Sequence, residues 1–235
     1  MKRILFGFFF LLAWNSSIQA QTPFYQGKTI SLVVGTSAGG LYDRYARLIA
    51  EPWSKHIPGN PTIVVQNMPG AGSLIAANHV YGVAKPDGLT ILSIVPAIYF
   101  NQLAGRQEVR FDWLKFNWIG SVDRSDNLLY MRTDAPFRTI HDVRRAIQPP
   151  KCSATGTGTV GHYTPTLLNQ TIGTKFELVL GYPGAPEMDL AVEKNETQCR
   201  AMSVDSWFSG EPYLTWRTKG FAHVLIQTGR MRDER

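Results

Sequence analysis

The chain has 235 residues, which is enough for a large core or for two small domains. Its formal net charge is +6, and its 24 basic residues are scattered rather than gathered in a stripe with interleaved aromatic residues. This composition gives nucleic-acid binding little support, whereas a mildly basic surface suits an anionic small ligand.

Residues 1–20 have the layout of a secretory signal peptide. Lys2 and Arg3 provide a basic start, residues 4–14 are almost wholly apolar, and residues 15–20 are small or polar. The apolar run is too short to span a bilayer core of about 30 Å, although an uncleaved membrane anchor is the alternative. We therefore expect export of the chain and cleavage after Ala20.

Predicted strands and helices alternate along the rest of the chain. In the first half, the apolar pattern predicts strands at 29–34, 62–66 and 90–95 and helices at 41–56 and 73–83. In the second half it predicts strands at 128–131, 152–154, 176–180, 198–204 and 222–227, and helices at 140–147, 163–171, 187–194 and 213–219. This alternation predicts parallel sheets flanked by helices on both faces.

Two polar stretches interrupt the alternation, at 102–114, where no periodicity is clear, and at 120–127. We interpret them as part of a crossing between two α/β lobes, residues 21–118 and residues 119–235. Ligands of open α/β sheets bind beyond the carboxyl ends of the strands. A cleft shared by the two lobes is therefore the predicted binding site.

Glycine-rich turns follow the first two predicted strands, and each turn opens a helix. Such turns leave backbone N–H groups free at a helix N-terminus, where an anion can bind. The first turn lacks the Lys-Ser/Thr pair of a nucleotide-binding P-loop, because Leu41 and Tyr42 follow its glycines. We expect the amides of residues 37–40 and the hydroxyls of Thr36 and Ser37 to contact an anion, although a purely structural turn is the alternative.

A literal G-x-G-x-x-G occurs at Gly156, Gly158 and Gly161, which is the pattern of a dinucleotide-binding turn. The acidic residue that should contact the ribose belongs at the carboxyl end of the next strand, whereas Glu177 precedes its apolar run. We therefore interpret the turn as a third anion-binding candidate. The adjacent His162 has no paired acid in the sequence, which favours a structural role over a proton shuttle.

The serines of the glycine-rich turns and strand ends do not lie in a G-x-S-x-G nucleophile elbow, so a hydrolase is unsupported. Cys152 and Cys199 are the two cysteines, and each begins a predicted strand. In an oxidising compartment they could form one disulfide, and two buried thiols are the alternative. We expect no metal site and no cofactor.

The ordered motifs V-G-T-S-A-G-G-L-Y-D-R-Y-A-R, V-V-Q-N-M-P-G-A-G-S and K-P-D-G-L-T-I-L resemble the tripartite tricarboxylate transporter substrate-binding proteins. These bacterial periplasmic solute receptors are also called the Bug or TctC family. The later A-T-G-T-G-T-V-G-H and L-G-Y-P-G-A-P-E-M-D-L-A segments are similar to loops of the family's second domain. The resemblance implies an α/β fold of two lobes, a Venus flytrap that closes on a small carboxylated solute.

The resemblance also implies which residues contact the solute, mostly through backbone amides and hydroxyls. They are Thr36, Ser37, Ala38, Gly39, Gly40, Asp43, Asn67, Gly70, Ala71, Gly72, Pro96 and Ala97 from the first lobe. From the second lobe they are Gly156, Thr157, Gly158, Thr159, His162, Tyr182, Pro183, Gly184, Ala185, Ser203 and Asp205.

The family's function would make the protein a monomeric, non-enzymatic periplasmic receptor that serves membrane permease subunits. In receptors of this type the chain returns to the first lobe after the second. Because the sequence stops soon after its last predicted strand, we expect a first lobe without that return segment, and impaired closure. The alternatives are an NAD(P)-dependent enzyme that uses the Gly156–Gly161 turn, and a solute sensor of the same fold.

Overall fold

The computed structural model describes residues 22–122 and 124–229, so the predicted signal peptide lies outside the described residues. The strands are β1 (Thr29–Val34), β2 (Thr62–Asn67), β3 (Thr90–Ser93), β4 (Asn127–Arg132), β5 (Lys151–Ala154), β6 (Glu177–Leu180), β7 (Cys199–Ser203) and β8 (Ala222–Gln227). The helices are α1 (Leu41–His56), α2 (Leu74–Gly82), α3 (Tyr99–Leu103), α4 (Ile140–Arg145), α5 (Val160–Ile172), α6 (Ala185–Glu193), α7 (Val204–Phe208) and α8 (Tyr213–Thr218). Within the described ranges, none of these helices combines the length and apolarity needed to cross a membrane.

The first lobe is built on a small parallel sheet with the order β2-β1-β3. The central strand β1 is the buried one, since Leu32 and Val34 are almost inaccessible and pack against Ala46 of α1. Both outer strands are partly exposed along their length. The parallel arrangement predicted for this half of the chain is confirmed.

The second lobe contains a five-stranded sheet with the order β6-β5-β7-β4-β8. Strands β5, β6 and β7 are parallel, but β4 runs antiparallel to both β7 and β8. The prediction of a wholly parallel sheet is therefore wrong at β4. Leu128, Leu129, Tyr130 and Met131 form a continuous buried apolar run, and such a run is the same whichever direction the strand takes.

Alternate residues of β4 enter two hydrophobic clusters on opposite faces of this sheet. Leu129 and Met131 pack on the face covered by α4 and α5, whereas Leu128 and Tyr130 pack on the face of Trp207 and the helices α6 to α8. The second lobe thus buries apolar side chains on both faces of its sheet.

Cys152 of β5 and Cys199 of β7 are register partners on neighbouring strands, with Cα atoms 4.4 Å apart, and the two residues form a disulfide. The sequence had left this pairing open. The bridge joins residues 47 positions apart. In the chain-entropy treatment, closing a loop of that length contributes about 4 kcal/mol.

A buried polar cluster ties α6 and α8 to β7. Arg200 donates to the Asp189 carboxylate and, at 3.0 Å, to the Tyr213 hydroxyl, which in turn donates to Asp189 at 2.6 Å. Burial raises the pKa of Tyr213 to about 12, so its phenol stays protonated. The charge of Arg200 is thereby compensated inside the apolar core.

The stretch 102–114, predicted from its polarity to be irregular, contributes to the first core. Phe111 is 6% exposed and packs with Leu74 and Ile98, and Trp113 and Phe116 join the same cluster. Its aromatic residues are only Phe111 and Trp113, and two positions are too few to establish a period. The domain boundary at 118/119 remains a prediction.

Candidate functional site

The loop between β1 and α1 is braced by two side chains that the resemblance assigned to the solute. Asp43 accepts hydrogen bonds from the Gly39 amide at 2.9 Å, from Arg47 at 3.0 Å and from Asn67 at 3.0 Å. Asn67 also donates to the Thr36 carbonyl at 3.0 Å. In the structure, Asp43 and Asn67 therefore use their polar atoms to hold the loop in shape.

Electrostatics keep the Asp43 carboxylate ionised. Burial acts to raise its pKa, but the hydrogen bonds from Arg47, Gly39 and Asn67 outweigh burial and lower the pKa below its ordinary value. The negative charge is thus balanced within the loop.

The same loop retains hydrogen-bonding groups that have no protein partner. Among the described residues, none accepts a hydrogen bond from the amides of Ser37, Ala38 or Gly40. The hydroxyl of Thr36, a residue 6% exposed, is buried and likewise lacks a partner within the described part of the chain. Buried polar groups are costly when unsatisfied, so the Thr36 hydroxyl and the amide of the buried Gly40 suit an acceptor supplied from outside, whereas Ala38 is exposed to water.

Polar contacts join the two lobes around the cleft. The Ser37 hydroxyl donates to Glu187 at 2.8 Å, and Asn101 donates to the Thr157 carbonyl at 3.1 Å. Arg44, which the sequence did not single out, donates to the Gly39 carbonyl at 3.0 Å, to Ser209 at 3.2 Å and to the Glu211 carbonyl at 3.1 Å. These contacts bring the first glycine-rich loop against α6 and against the turn between α7 and α8.

The second and third glycine-rich turns lie against each other. A Cβ atom on Gly156 would lie 2.8 Å from the Ala71 carbonyl carbon and 2.8 Å from the Gly72 nitrogen. Only glycine allows so close an approach of the two backbones. Gly158, the glycine that would admit a dinucleotide pyrophosphate, is itself covered by Asn101, since an added Cβ would lie 2.5 Å from the Asn101 Oδ1.

Two further residues of that turn pack against the body of the second lobe. Gly161 lies close to β5, since an added Cβ would be 2.9 Å from the Ala154 Cβ. His162 lies in the first turn of α5, and burial is the main cause that lowers its pKa, followed by the charge of Arg106. Glu177 is the first residue of β6, so it lies at the end of that strand opposite to the turn, as predicted.

A cavity of about 1600 Å³ lies between the lobes and extends along the first lobe, where Trp53, Tyr81 and Ile91 line it. The predicted residues that line it are Thr36, Gly39, Gly40, Pro96, Ala97, Thr159, Gly184, Ala185 and Ser203. The other predicted residues lie outside its lining, namely Ser37, Ala38, Asp43, Asn67, Gly70, Ala71, Gly72, Gly156, Thr157, Gly158, His162, Tyr182, Pro183 and Asp205. The lining also includes Arg44, Asn127, Tyr163 and Ser206, which the sequence did not indicate.

Two of these missed residues, Arg44 and Ser206, lie at helix starts, which the sequence could have indicated. Arg44 follows Asp43 directly in the first turn of α1. Ser206 lies three positions after Ser203, whose hydroxyl accepts from the Ser206 amide at 3.2 Å as the N-cap of α7. That spacing is typical of a helix start. For Asn127 and Tyr163, which hydrogen-bond each other at 3.1 Å, no local pattern was available.

Three helices of at least nine residues begin at this cavity. Gly40, Thr159 and Gly184 are the N-cap residues of α1, α5 and α6, and all three line it. Within the described part of the chain, none of the three N-termini has a hydrogen bond from a capping side chain, in contrast to α4, which Thr139 and Asp142 close with a capping box. Each uncapped N-terminus carries partial positive charge, of about half a unit for a full helix. The convergence makes the cavity electrically suited to an anion.

Comparisons with known proteins agree with this architecture. A UPF0065 protein of Cupriavidus necator is 32% identical over 125 residues, which are 53% of this chain and 37% of that protein. A UPF0065 protein of Agrobacterium vitis is 28% identical over 179 residues, 72% of this chain and 48% of that protein. The chain thus spans half or less of the length of these curated relatives.

Solved structures show the same fold. A periplasmic transporter has a TM-score of 0.75 at 20% identity, covering 89% of this chain and 69% of its own. The MatC protein of Rhodopseudomonas palustris, solved with malate, has a TM-score of 0.73 at 21% identity, with coverages of 88% and 69%. An R. palustris protein solved with adipate has a TM-score of 0.72 at 23% identity, and the alignment covers 88% of this chain and 67% of that protein.

These similarities place the chain among two-lobed periplasmic-binding-protein folds. A family model described as the tripartite tricarboxylate transporter family receptor, TctC, matches residues 45–219. The match covers β2 to β7, most of α1 and the whole of α5 and α6, and it leaves out β1 and β8. The chain belongs to the TctC family of tripartite tricarboxylate transporter receptors.

Proposed function

We propose that this chain is a periplasmic receptor that captures a small carboxylate-bearing solute between its two lobes. The observation that carries the proposal is the convergence of the uncapped N-termini of α1, α5 and α6 on one cavity. Like partial charges would repel there, and an anion between them removes the repulsion. The Gly40 amide and the Thr36 hydroxyl, which have no acceptor or donor partner among the described residues and belong to residues that line the cavity, supply matching donors.

Membership of the family supports a carboxylate as the anion. Two neighbours of the same fold were solved with dicarboxylates, malate in one and adipate in the other. The cavity volume exceeds what such solutes occupy, so ordered water would complete their hydration inside the cleft. The solute residues predicted from the sequence are proposed as the two sides of this clamp, with Asp43 and Asn67 acting by holding the first loop.

The proposal includes export by the signal peptide, no catalytic step, and delivery of the solute to membrane permease subunits of a tripartite transporter. Closure of the lobes would create the surface that a permease recognises. A sensor of the same fold would bind the same solutes. Co-purification with the permease, or with a signalling protein instead, separates the two.

Binding is tested by calorimetric titration of the exported chain with malate, adipate, uncharged sugars and NAD. We expect binding of the dicarboxylates only, whereas binding of NAD alone would contradict the proposal. Replacement of Thr36 by Val removes its partnerless hydroxyl at similar volume, and we expect affinity to fall by about five- to tenfold. Thr164→Val is the matched control, because Thr164 also has a buried partnerless hydroxyl but lies outside the cavity lining.

A further inference from the structure

One patch of the cavity wall in the second lobe is polar without formal charge. Four partly buried residues of the cavity lining make up this neutral wall, namely Asn127 of β4, Tyr163 of α5, Ser203 of β7 and Ser206 of α7. Asn127 and Ser203 are register partners on antiparallel strands, so their side chains lie side by side on one face of the sheet. Hydrogen bonds join Asn127 to Tyr163 at 3.1 Å and Ser203 to Ser206 at 2.7 Å. The four side chains therefore form one continuous surface.

The Asn127–Tyr163 pair keeps both a donor and an acceptor that no described residue uses. The Asn127 amide nitrogen donates to the Tyr163 oxygen, which leaves the phenol proton and the Asn127 Oδ1 available. With the amide turned the other way, the available groups are an amide N–H and the Tyr163 oxygen, so the pair still offers one of each kind. Burial raises the pKa of Tyr163, so its phenol keeps the proton at neutral pH.

This mixed character suits a hydroxyl group better than a carboxylate. A hydroxyl donates one hydrogen bond while it accepts another, so it can satisfy both free groups of the pair at once. A carboxylate only accepts, so one of its oxygens would face the unused acceptor of the pair. The neighbouring serine hydroxyls are also neutral and add no positive charge to hold a carboxylate there.

The neutral wall lies about one helical turn from the proposed carboxylate site. Tyr163 follows Thr159, the N-cap of α5, by four residues, and its amide donates to the Thr159 carbonyl at 2.8 Å. Four helical residues span about 6 Å, so a solute of a few carbon atoms can reach both places. The ring of Tyr163 also contacts Phe100 of the first lobe, with centroids 5.8 Å apart, which holds the phenol at the cleft.

We infer that the neutral wall is a hydroxyl-binding subsite, with Asn127 and Tyr163 contacting the hydroxyl, and that the solutes of this receptor are hydroxycarboxylates. The inference rests on the proposed function, since the carboxylate of the same solute would bind at the helix N-termini. Polar groups built to bind a hydroxyl discriminate against the analogue that lacks it, because they are then left without that partner.

Malate and succinate are the probes, because both are four-carbon dicarboxylates and they differ by one hydroxyl. In calorimetric titration of the exported chain, we expect the more tightly bound enantiomer of malate to have a dissociation constant about fivefold lower than that of succinate. Tyr163→Phe removes the phenolic hydroxyl but keeps the ring against Phe100, and it should reduce this preference to less than about twofold. Tyr25→Phe is the matched control, because Tyr25 lines the first-lobe part of the cavity and its hydroxyl donates to the Gly88 carbonyl. The control should keep the fivefold preference.

The outcomes separate this inference from the proposed function. If the wild-type chain binds both acids without preferring malate, or if Tyr163→Phe keeps the preference, the inference is wrong and the proposed function stands. Loss of the preference in Tyr25→Phe as well would show that the effect does not come from the neutral wall, and the inference would again be wrong. If the wild-type chain binds neither acid, both the inference and the proposed function are overturned.

Discussion

The two lobes differ in how their sheets are buried. In the second lobe, residues 128–131 of β4 are at most 3% exposed, apolar clusters cover both sheet faces, and a disulfide joins β5 to β7. In the first lobe the two buried apolar clusters are smaller, with four and three buried residues against ten and nine, and Leu48 and Val83 are each 71% exposed. We conclude that the second lobe is the stable frame, and that the first lobe depends more on contacts at the cleft.

The largest expected effect is in the buried cluster of the second lobe. Asp189→Ala leaves Arg200 buried without its carboxylate, and we expect the free energy of unfolding to fall by about 3–5 kcal/mol. Glu51→Ala breaks an exposed ion pair with Lys55 and should leave the free energy of unfolding almost unchanged, because solvent screens the pair. Urea unfolding measures both free energies. Equal losses for the two substitutions would contradict the conclusion that the buried Asp189–Arg200 pair stabilises the second lobe.

The next effect comes from the disulfide. Replacing Cys152 and Cys199 together with Ala should destabilise the second lobe by about 2–4 kcal/mol, because the unfolded chain regains the entropy of an open loop. Hydrogen exchange of each lobe is the measurement. Faster exchange confined to β5 and β7 and their neighbours is expected, and faster exchange only in the first lobe would refute the comparison.

A smaller effect is expected at the contact between the lobes. Arg44→Ala removes hydrogen bonds to carbonyl groups on both sides of the cleft, so the lobes should open more readily. We expect dicarboxylate affinity to fall by about five- to tenfold, with a larger radius of gyration in X-ray scattering. Lys55→Ala, on the far end of the same helix, is the control. An unchanged scattering profile together with unchanged affinity would exclude a role in closure.

The smallest effect concerns pH and the first loop. The folded-state pKa of Asp43 is below its unfolded value, so its stabilising contribution is present above about pH 4 and is lost as pH falls through the folded pKa. Asp43→Asn should cost about 1 kcal/mol at pH 7 and remove this acid sensitivity. Melting temperatures measured between pH 2.5 and 7 test this expectation. Identical pH profiles for Asp43→Asn and the wild type would show that ionised Asp43 does not contribute to stability.

Local patterns predicted much of this molecule, and long-range geometry supplied the rest. Apolar runs located the strands, and the first glycine-rich turn located the start of α1 at Leu41, whereas α5 and α6 begin three and two residues before the predicted 163 and 187. The direction of β4 was not predictable, because a fully buried strand carries no directional signal. The bracing role of Asp43 depends on Asn67, which lies 24 positions away. Likewise, the mutual packing of Gly72 and Gly156 depends on how the lobes meet, which no local motif encodes.

The central claim is that a solute carboxylate binds where the three uncapped helix N-termini converge. A crystal structure of the exported chain with malate tests it most directly. We expect one carboxylate within hydrogen-bonding distance, about 3 Å, of the Gly40 amide and the Thr36 hydroxyl. A malate bound elsewhere, with those donors left facing only water, would contradict the account.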